Sequence, residues 1–133
     1  MKMQQKNNQY IFDASAILAL FHNEPGSDVA RQYLPGAVVS CINLAEVIEN
    51  ALARNIYNDK YREKLPELLP DIIPFNEEQA HITAKLRPIT KQYGLSLADR
   101  ACLALAKSMD LPVITADKIW KELDIGVKII VIR

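Results

Sequence analysis

Short, uninterrupted apolar runs alternate along this chain with longer segments in which apolar residues recur at helical spacing. An uninterrupted apolar run of roughly four to eight residues is typical of a strand that is buried on both faces of a parallel sheet. We predict strands at residues 10–13, 37–41, 71–75, 112–116 and 127–132. Pro74 lies in the third run and makes it an edge strand, because proline cannot donate to a strand ladder.

The segments between the strands have the spacing of amphipathic helices and are bounded by proline or glycine. We predict helices at residues 14–21, 28–34, 44–55, 59–69, 77–93, 96–109 and 119–123. Pro66 and Pro88 are expected to break or kink two of them, and Gly94 to end the helix that contains Pro88. Buried strands that alternate with helices predict an α/β fold class, a three-layer α/β/α sandwich with a central, mainly parallel sheet.

Length and composition narrow the class of protein. The 133 residues fit a single domain, 1–133, with a polar N-terminal tail at residues 1–9. The formal net charge of zero argues against nucleic-acid binding through bulk positive charge, so such a role needs a local site. No apolar run approaches the roughly 20 residues of a membrane span, and no secretory leader is visible. We therefore expect a cytoplasmic protein without membrane contact, in which Cys41 and Cys102 are buried, reduced thiols.

Four carboxylates recur in one context, either just after a predicted strand or in the first turn of the helix that follows it. Asp13 ends the first strand and Asp117 follows the fourth, whereas Glu46 and Asp99 lie in predicted first turns. The carboxyl ends of parallel strands and the N-termini of the following helices face the same crevice. We therefore expect all four acids at one rim of the sheet.

Each acid also has a purely structural interpretation. Carboxylates cap helix N-termini and complement the helix dipole. The segments "NLAE" and "SLAD" both resemble capping boxes, which would pair Asn43 with Glu46 and Ser96 with Asp99. The surroundings favour more than capping, because Asp13 is followed by the apolar run "ASAILALF" and an exposed cap does not need such neighbours.

Electrostatics favour a shared cation. Two carboxylates about 4 Å apart repel by roughly 4 kcal/mol at an effective dielectric constant of about 20, so four acids in one crevice stay partly protonated or share a cation. Oxygen ligands with few imidazoles select Mg²⁺ or Mn²⁺ over Zn²⁺. The two histidines, His22 and His81, lie outside the acidic motifs and are expected to be ordinary residues. Acids with such a cation suit the hydrolysis of phosphodiesters.

The four acidic segments together resemble the PIN-domain family, and within it the VapC-type ribonuclease toxins of type II toxin–antitoxin systems. The matching segments, in the family's order, are "FDASAILAL", "SCINLAEV", "GLSLADRACLALA" and "VITADKIW". The resemblance extends from Tyr10 to Val131. It implies a Mg²⁺- or Mn²⁺-dependent endoribonuclease that cleaves RNA, acts as the toxin of a pair, binds a cognate antitoxin and forms a homodimer.

By motif position the resemblance gives Asp13, Glu46, Asp99 and Asp117 both catalytic and metal-binding roles. Asp13 and Asp99 would hold metal most directly. Glu46 would bind metal or orient the attacking water, and Asp117 would bind metal or support it. Further residues are expected to act on the acids through hydrogen bonds or charge, namely Ser15, Asn43, Thr115 and Arg100. An ordinary turn hydroxyl, helix cap or ion pair is the open alternative for each.

Two surfaces are candidates for partners. The first is basic and would contact RNA, although charged helix faces are usually only solvated; it comprises Arg54, Lys85, Arg87 and Lys91. The second is a helical pair at residues 44–69 with more apolar residues than one helix face needs, which is a candidate groove for an antitoxin. Burial in the core or a dimer contact is the alternative for its residues, Leu44, Val47, Ile48, Leu52, Ile56, Tyr57 and Tyr61.

Two other functions fit the sequence less well. A catalytically silent PIN-like binding module would act through protein partners, but the four intact acids favour an enzyme. A phosphoaspartate phosphatase of the haloacid dehalogenase type needs a second aspartate two residues after the first, and Ser15 occupies that position. A receiver domain is also disfavoured, because no lysine follows in the manner of its switch residue.

Overall fold

One parallel sheet forms the centre of the molecule. The computed structural model describes residues 8–133, and its strands are β1 (Tyr10–Phe12), β2 (Ala37–Ser40), β3 (Asp71–Ile73), β4 (Val113–Thr115) and β5 (Ile129–Val131). Their spatial order is β3-β2-β1-β4-β5, and each neighbouring pair is parallel. The third strand lies at an edge, as predicted, and it ends at Ile73, just before Pro74.

Helices cover both faces of this sheet. They are α1 (Ala14–Phe21), α2 (Ser27–Tyr33), α3 (Cys41–Ala53), α4 (Asp59–Leu68), α5 (Glu77–Thr90) and α6 (Leu97–Met109), with short 3-10 helices at Leu34–Gly36, Lys91–Tyr93 and Lys118–Glu122. Successive residues of a strand point to opposite faces, so each central strand contributes to two cores. Phe12, Val39 and Ile114 pack with residues of α1 to α4. Ile11, Val38 and Val113 pack with residues of α5 and α6. The predicted three-layer α/β/α sandwich is confirmed.

The start of α3 differs from the sequence-based prediction. The helix begins at Cys41 rather than at residue 44, because the Ser40 hydroxyl accepts a hydrogen bond from the Ile42 backbone N–H and caps the helix. Glu46 consequently lies in the second turn, not the first. The prediction that Cys41 is buried is wrong, since this first helical residue is exposed, whereas Cys102 is fully buried as expected.

The prediction that two prolines break their helices is wrong. Pro66 and Pro88 each lie third from the end of α4 and α5, where a missing backbone donor perturbs only the last turn. Among residues 8–133, no helix is long and apolar enough to cross a membrane. Most of the predicted tail, residues 1–7, lies outside the described part of the chain, while the Gln9 amide donates to the Asp71 carboxylate at 3.3 Å.

Candidate active site

The candidate site lies where the strand order of the sheet changes direction. β2 and β3 lie on one side of β1, and the chain then crosses to β4 on the other side. At such a switch point the carboxyl ends of neighbouring strands open a crevice in which α/β proteins bind ligands. Here β1 is followed by Asp13, and β4 ends at Thr115, two residues before Asp117.

Asp13 is fixed by hydrogen bonds from both strand ends. Its Oδ1 accepts from the backbone N–H of Ala16 at 2.9 Å and from the Ser15 hydroxyl at 2.7 Å. Its Oδ2 accepts from the Thr115 hydroxyl at 2.6 Å. The two hydroxyls accept in turn from backbone N–H groups, Ser15 from Ala116 and Thr115 from Asp117. Ser15 and Thr115 therefore contact an acid as their motif positions predict, and they join the end of β1 to the end of β4.

Burial makes the charge of Asp13 unfavourable. The side chain is only 4% exposed. The pKa of Asp13 is raised from 3.8 to about 6, chiefly by desolvation. The hydrogen bonds from Thr115, Ala16 and Ser15 lower it in part, and the negative charge of Asp99 raises it. A carboxyl with a pKa this close to neutrality is characteristic of functional sites.

Glu46 faces the same cleft from α3. Its Oε1 accepts a hydrogen bond from the Asn43 side-chain amide at 3.0 Å, and the same amide donates to the Ala98 carbonyl of α6. The predicted capping box of these two residues is wrong, because Ser40 caps the helix, but their contact exists. Burial raises the pKa of Glu46, the Asn43 hydrogen bond lowers it, and the charges of Asp99 and Glu49 raise it further.

Asp99 and Asp117 each hold the N-terminus of a helix. Asp99 forms the predicted capping box with Ser96: its Oδ2 accepts from the Ser96 N–H at 2.9 Å, and the Ser96 hydroxyl accepts from the Asp99 N–H. Asp117 caps the 3-10 helix Lys118–Glu122 by accepting from the Ile119 N–H at 3.1 Å. Each carboxylate uses one oxygen as a cap, which leaves the second oxygen for a ligand.

All four acids line a single cleft of about 520 Å³. Its lining consists of Asp13, Ala14, Ser15, Leu18, Glu46, Glu49, Asn50, Asp99 and Asp117. Within the described residues, no three His, Cys, Asp or Glu side chains converge closely enough to hold a metal ion as they stand. The acids surround the cleft, as mutually repelling carboxylates do, and side-chain rotations would be needed for them to grip one ion.

The chemistry of this lining fits a hard divalent cation. The donors are carboxylate oxygens, which Mg²⁺ and Mn²⁺ prefer, and neither histidine lies among them. The cleft holds excess negative charge, and the charge of Asp99 contributes to the raised pKa values of both Asp13 and Glu46. A divalent cation would relieve that repulsion.

Two polar residues of the cleft were not predicted. Glu49 and Asn50 follow Glu46 by three and four positions on α3, so helical spacing places them on the same face, and that spacing was the available signal. His22 was expected to be an ordinary residue. His22 instead contacts a residue that lines the cleft, since its Nε2 lies 3.0 Å from the Asn50 Oδ1. No local pattern links two residues 28 positions apart.

The structure directs Arg100 away from the acids. The residue is 6% exposed, and its guanidinium donates to the Thr83 carbonyl of α5 at 2.9 Å. It is absent from the lining of the acidic cleft. The expectation that Arg100 counters the charge of the acids or contacts phosphate is therefore corrected: this side chain joins α6 to α5.

A model of the PIN domain matches residues 10–126 of the chain. The chain belongs to the PIN-domain family. Nucleases of this family generally use a divalent metal ion. No curated protein sequence matches this PIN domain.

Solved structures agree with the family assignment. The PIN domain is similar to a chain of a toxin–antitoxin complex from Klebsiella pneumoniae, at 24% identity and a TM-score of 0.68, over 90% of this chain and 95% of the other. FitAcB from Neisseria gonorrhoeae matches at 26% identity and a TM-score of 0.66, over 91% and 96% of the two chains. DNA-bound VapBC from Salmonella typhimurium matches at 19% identity and a TM-score of 0.69, over 92% and 96%.

A second, mostly apolar cavity of about 410 Å³ adjoins α1 and the connection from α3 to α4. It is lined by Leu20, Phe21, His22, Arg31, Leu34, Ile56, Tyr61, Lys64, Leu65 and Leu68. Of the predicted antitoxin groove, only Ile56 and Tyr61 belong to this cavity. Val47 is fully buried in the core of the PIN domain, as the alternative held. The cavity therefore includes α1 and α2, which the sequence did not indicate.

Proposed function

We propose that this protein is a Mg²⁺- or Mn²⁺-dependent endoribonuclease and the toxin of a VapC-type toxin–antitoxin pair. One observation carries the proposal: carboxylates from four separate segments line one cleft at the switch point of a parallel sheet. Membership of the PIN-domain family and the likeness to chains of toxin–antitoxin complexes support it.

The surroundings of the acids suit three of them to metal binding and one to activation of the attacking water. Asp13, fixed by three donors, and Asp99, held on α6, would provide the most rigid ligands for the cation, and Asp117 would support them. When bound, the cation polarises the phosphate and stabilises the leaving oxygen. Glu46 carries a raised pKa and one carboxylate oxygen beyond its bond to Asn43, so it would orient the attacking water and accept its proton.

Cleavage of a fluorescently labelled RNA tests this proposal. We expect cleavage with Mg²⁺ or Mn²⁺, none with EDTA, and a loss of at least a hundredfold in Asp99→Asn and Glu46→Gln, because proton transfer alone contributes about 10²–10⁴-fold. Asp124→Asn removes an exposed carboxylate away from the cleft and serves as the matched control. Cleavage that is indifferent to EDTA and to both substitutions would refute the proposal.

The alternative is a catalytically silent PIN domain that acts through protein partners. One observation favours it: the acids, as they stand, do not converge on a metal position. The two functions differ in how the cleft responds to metal. For an enzyme, Mn²⁺ should both raise the Tm and start RNA cleavage. For a silent module, Mn²⁺ should start no cleavage of any RNA tested.

The apolar cavity is the proposed antitoxin site. Arg31 and Lys64 are the cationic residues of its mostly apolar wall, so the expected occupant is an apolar segment that carries carboxylates. Ile56→Asp would place a charge in this wall, where Ile56 is 43% exposed. We expect the variant to fold but to lose co-purification with the co-expressed antitoxin. Leu52→Asp, at a residue that is 54% exposed and lies outside the cavity, should retain co-purification.

A homodimer is the second assembly that we propose. Leu97 and Ile119, each two residues from an acid of the cleft, expose apolar side chains that a second copy would cover. Sedimentation of the isolated protein should give twice the mass of the chain, and Leu97→Asp should shift it toward the monomer. A wild-type protein that remains monomeric at micromolar concentration would refute the dimer.

A further inference from the structure

We infer that Asn50 is an RNA-binding residue of the acidic cleft and that His22 is its positioning residue. The inference rests on the proposed function and adds to it a contact to the substrate backbone. Neither residue lies in the acidic motifs, and the family's acidic quartet does not include them.

The composition of the cleft requires a donor. Of the residues that line it, five are carboxylates and two are apolar, which leaves Ser15 and Asn50. The Ser15 hydroxyl donates to Asp13 and is thereby used. Among the described residues of this lining, the Asn50 amide is therefore the one side chain with N–H groups to offer. An RNA backbone is polyanionic, so a wall of acids needs such a donor where the strand passes.

The amide is held in one orientation. His22 follows the last residue of α1, and its backbone N–H donates to the Leu18 carbonyl, which fixes the backbone that carries the ring. Its Nε2 lies 3.0 Å from the Asn50 Oδ1, so a proton on Nε2 is donated to the amide oxygen. With the oxygen occupied, the Nδ2 hydrogens remain for an acceptor in the cleft.

The position of Asn50 indicates which phosphate it binds. Asn50 lies one turn beyond Glu46 on α3, and this separation corresponds to a rise of about 6 Å. In a bound RNA the amide would therefore meet a phosphate oxygen next to the reacting phosphodiester rather than the reacting group itself. Its contact would exist in the bound substrate as well as in the transition state, which predicts an effect on KM rather than on kcat.

The experiment is steady-state cleavage of a short single-stranded RNA with Mn²⁺. We expect Asn50→Ala to raise KM about tenfold with kcat within about twofold, the loss expected for a hydrogen bond to a charged group. Asn50→Asp should raise KM further. His22→Leu should raise KM, His22→Gln should restore it because the glutamine amide can donate, and His22→Leu in Asn50→Ala should add nothing. Gln32→Ala, which removes an exposed amide on α2, is the matched control.

Two outcomes separate this inference from its alternatives. If Asn50→Ala and Asn50→Asp keep the wild-type KM, with or without a lowered Tm, the pair only joins α1 to α3 and the inference is overturned. If the wild-type protein cleaves no RNA, the proposed function fails by itself. Anisotropy of a labelled RNA with Mg²⁺ then decides the inference: tenfold weaker binding by Asn50→Ala supports it, and equal binding overturns it.

Discussion

Replacement of Asp13 by asparagine should stabilise the protein in the absence of metal while it abolishes cleavage. The reason is the burial of Asp13 at the end of β1, which raises its pKa in the folded state to about 6 from an ordinary value of 3.8. At neutral pH the folded protein must ionise this carboxyl in a setting that disfavours the charge. Asparagine has almost the same shape, caps helices equally well and carries no charge.

The magnitude follows from the pKa difference. The two values differ by about 2 units (6 − 3.8), and each unit corresponds to about 1.4 kcal/mol, so ionisation of Asp13 destabilises the fold by about 3 kcal/mol above pH 6. Asparagine would lose one hydrogen bond, because its NH₂ group meets the Thr115 hydroxyl, at a loss of about 1 kcal/mol. The expected net gain is about 2 kcal/mol, which raises the Tm by roughly 5–10 °C in a domain of this size.

The pH dependence provides the sharper measurement. The folded pKa lies above the unfolded one, so the wild-type protein keeps its full stability below pH 3.8 and loses stability as the pH rises toward 6. In melting curves with EDTA, the Tm of Asp13→Asn should rise relative to that of the wild type between pH 3.8 and about 6, and the difference in Tm should stay constant above that pH. Asp124→Asn, at an exposed carboxylate, should show no such trend. The reasoning would be refuted if Asp13→Asn had a lower Tm than the wild type at neutral pH, or if the difference in Tm between the two did not change with pH.

Three further predictions concern the same region. Mg²⁺ or Mn²⁺ should raise the Tm of the wild type but not that of Asp13→Asn, as titrated melting curves would show, because ligand binding stabilises only the state with the site. Thr115→Val should lower the free energy of unfolding at neutral pH by about 1–3 kcal/mol in denaturant titrations and raise the pKa of Asp13 further, because it removes the 2.6 Å donor to that carboxylate. Arg100→Met should keep RNA cleavage within about threefold of the wild type in the labelled-RNA assay. Among residues 8–133 its buried guanidinium donates to the Thr83 carbonyl and to no acid of the cleft, so an apolar side chain of similar length replaces it with little loss. A hundredfold loss of cleavage would show that Arg100 acts in the active site after all.

The sheet was predictable because its strands are buried on both faces. Runs such as "YIF", "AVVS" and "VIT" need no alternation of polar residues, and they stand out between helical segments. Parallel strands bring their carboxyl ends to one edge of the sheet, and the crossover from β3 to β4 then places the ends of β1 and β4 side by side. The convergence of Asp13 and Thr115, 102 residues apart, follows from that topology rather than from any local pattern.

Errors arose where one residue's side chain decides a local boundary. The sequence "SCINLAEV" is apolar on both sides of the true helix start, so periodicity cannot distinguish Ser40 from Asn43 as the cap. The exposure of Cys41 and the position of Glu46 in the second turn follow from that boundary. The contact of Arg100 with Thr83 follows from the packing of α5 against α6. The contact of His22 with Asn50 depends on where α1 ends relative to α3, which only the tertiary structure determines.

The structural and the functional interpretations of the acids turn out to be compatible, because the two uses involve different atoms. Asp99 and Asp117 each give one oxygen to a helix N-terminus and keep the other for a ligand. Asp13 caps α1 with its Oδ1, while its Oδ2 accepts from the Thr115 hydroxyl. The helix ends supply partial positive charge, which offsets part of the repulsion between neighbouring carboxylates. An Asp→Asn substitution preserves the cap and removes the charge, since both residues cap equally well. Stability that the Asn variant retains is therefore due to the cap. A loss of the metal-induced rise in Tm, or of RNA cleavage, is due to the missing charge.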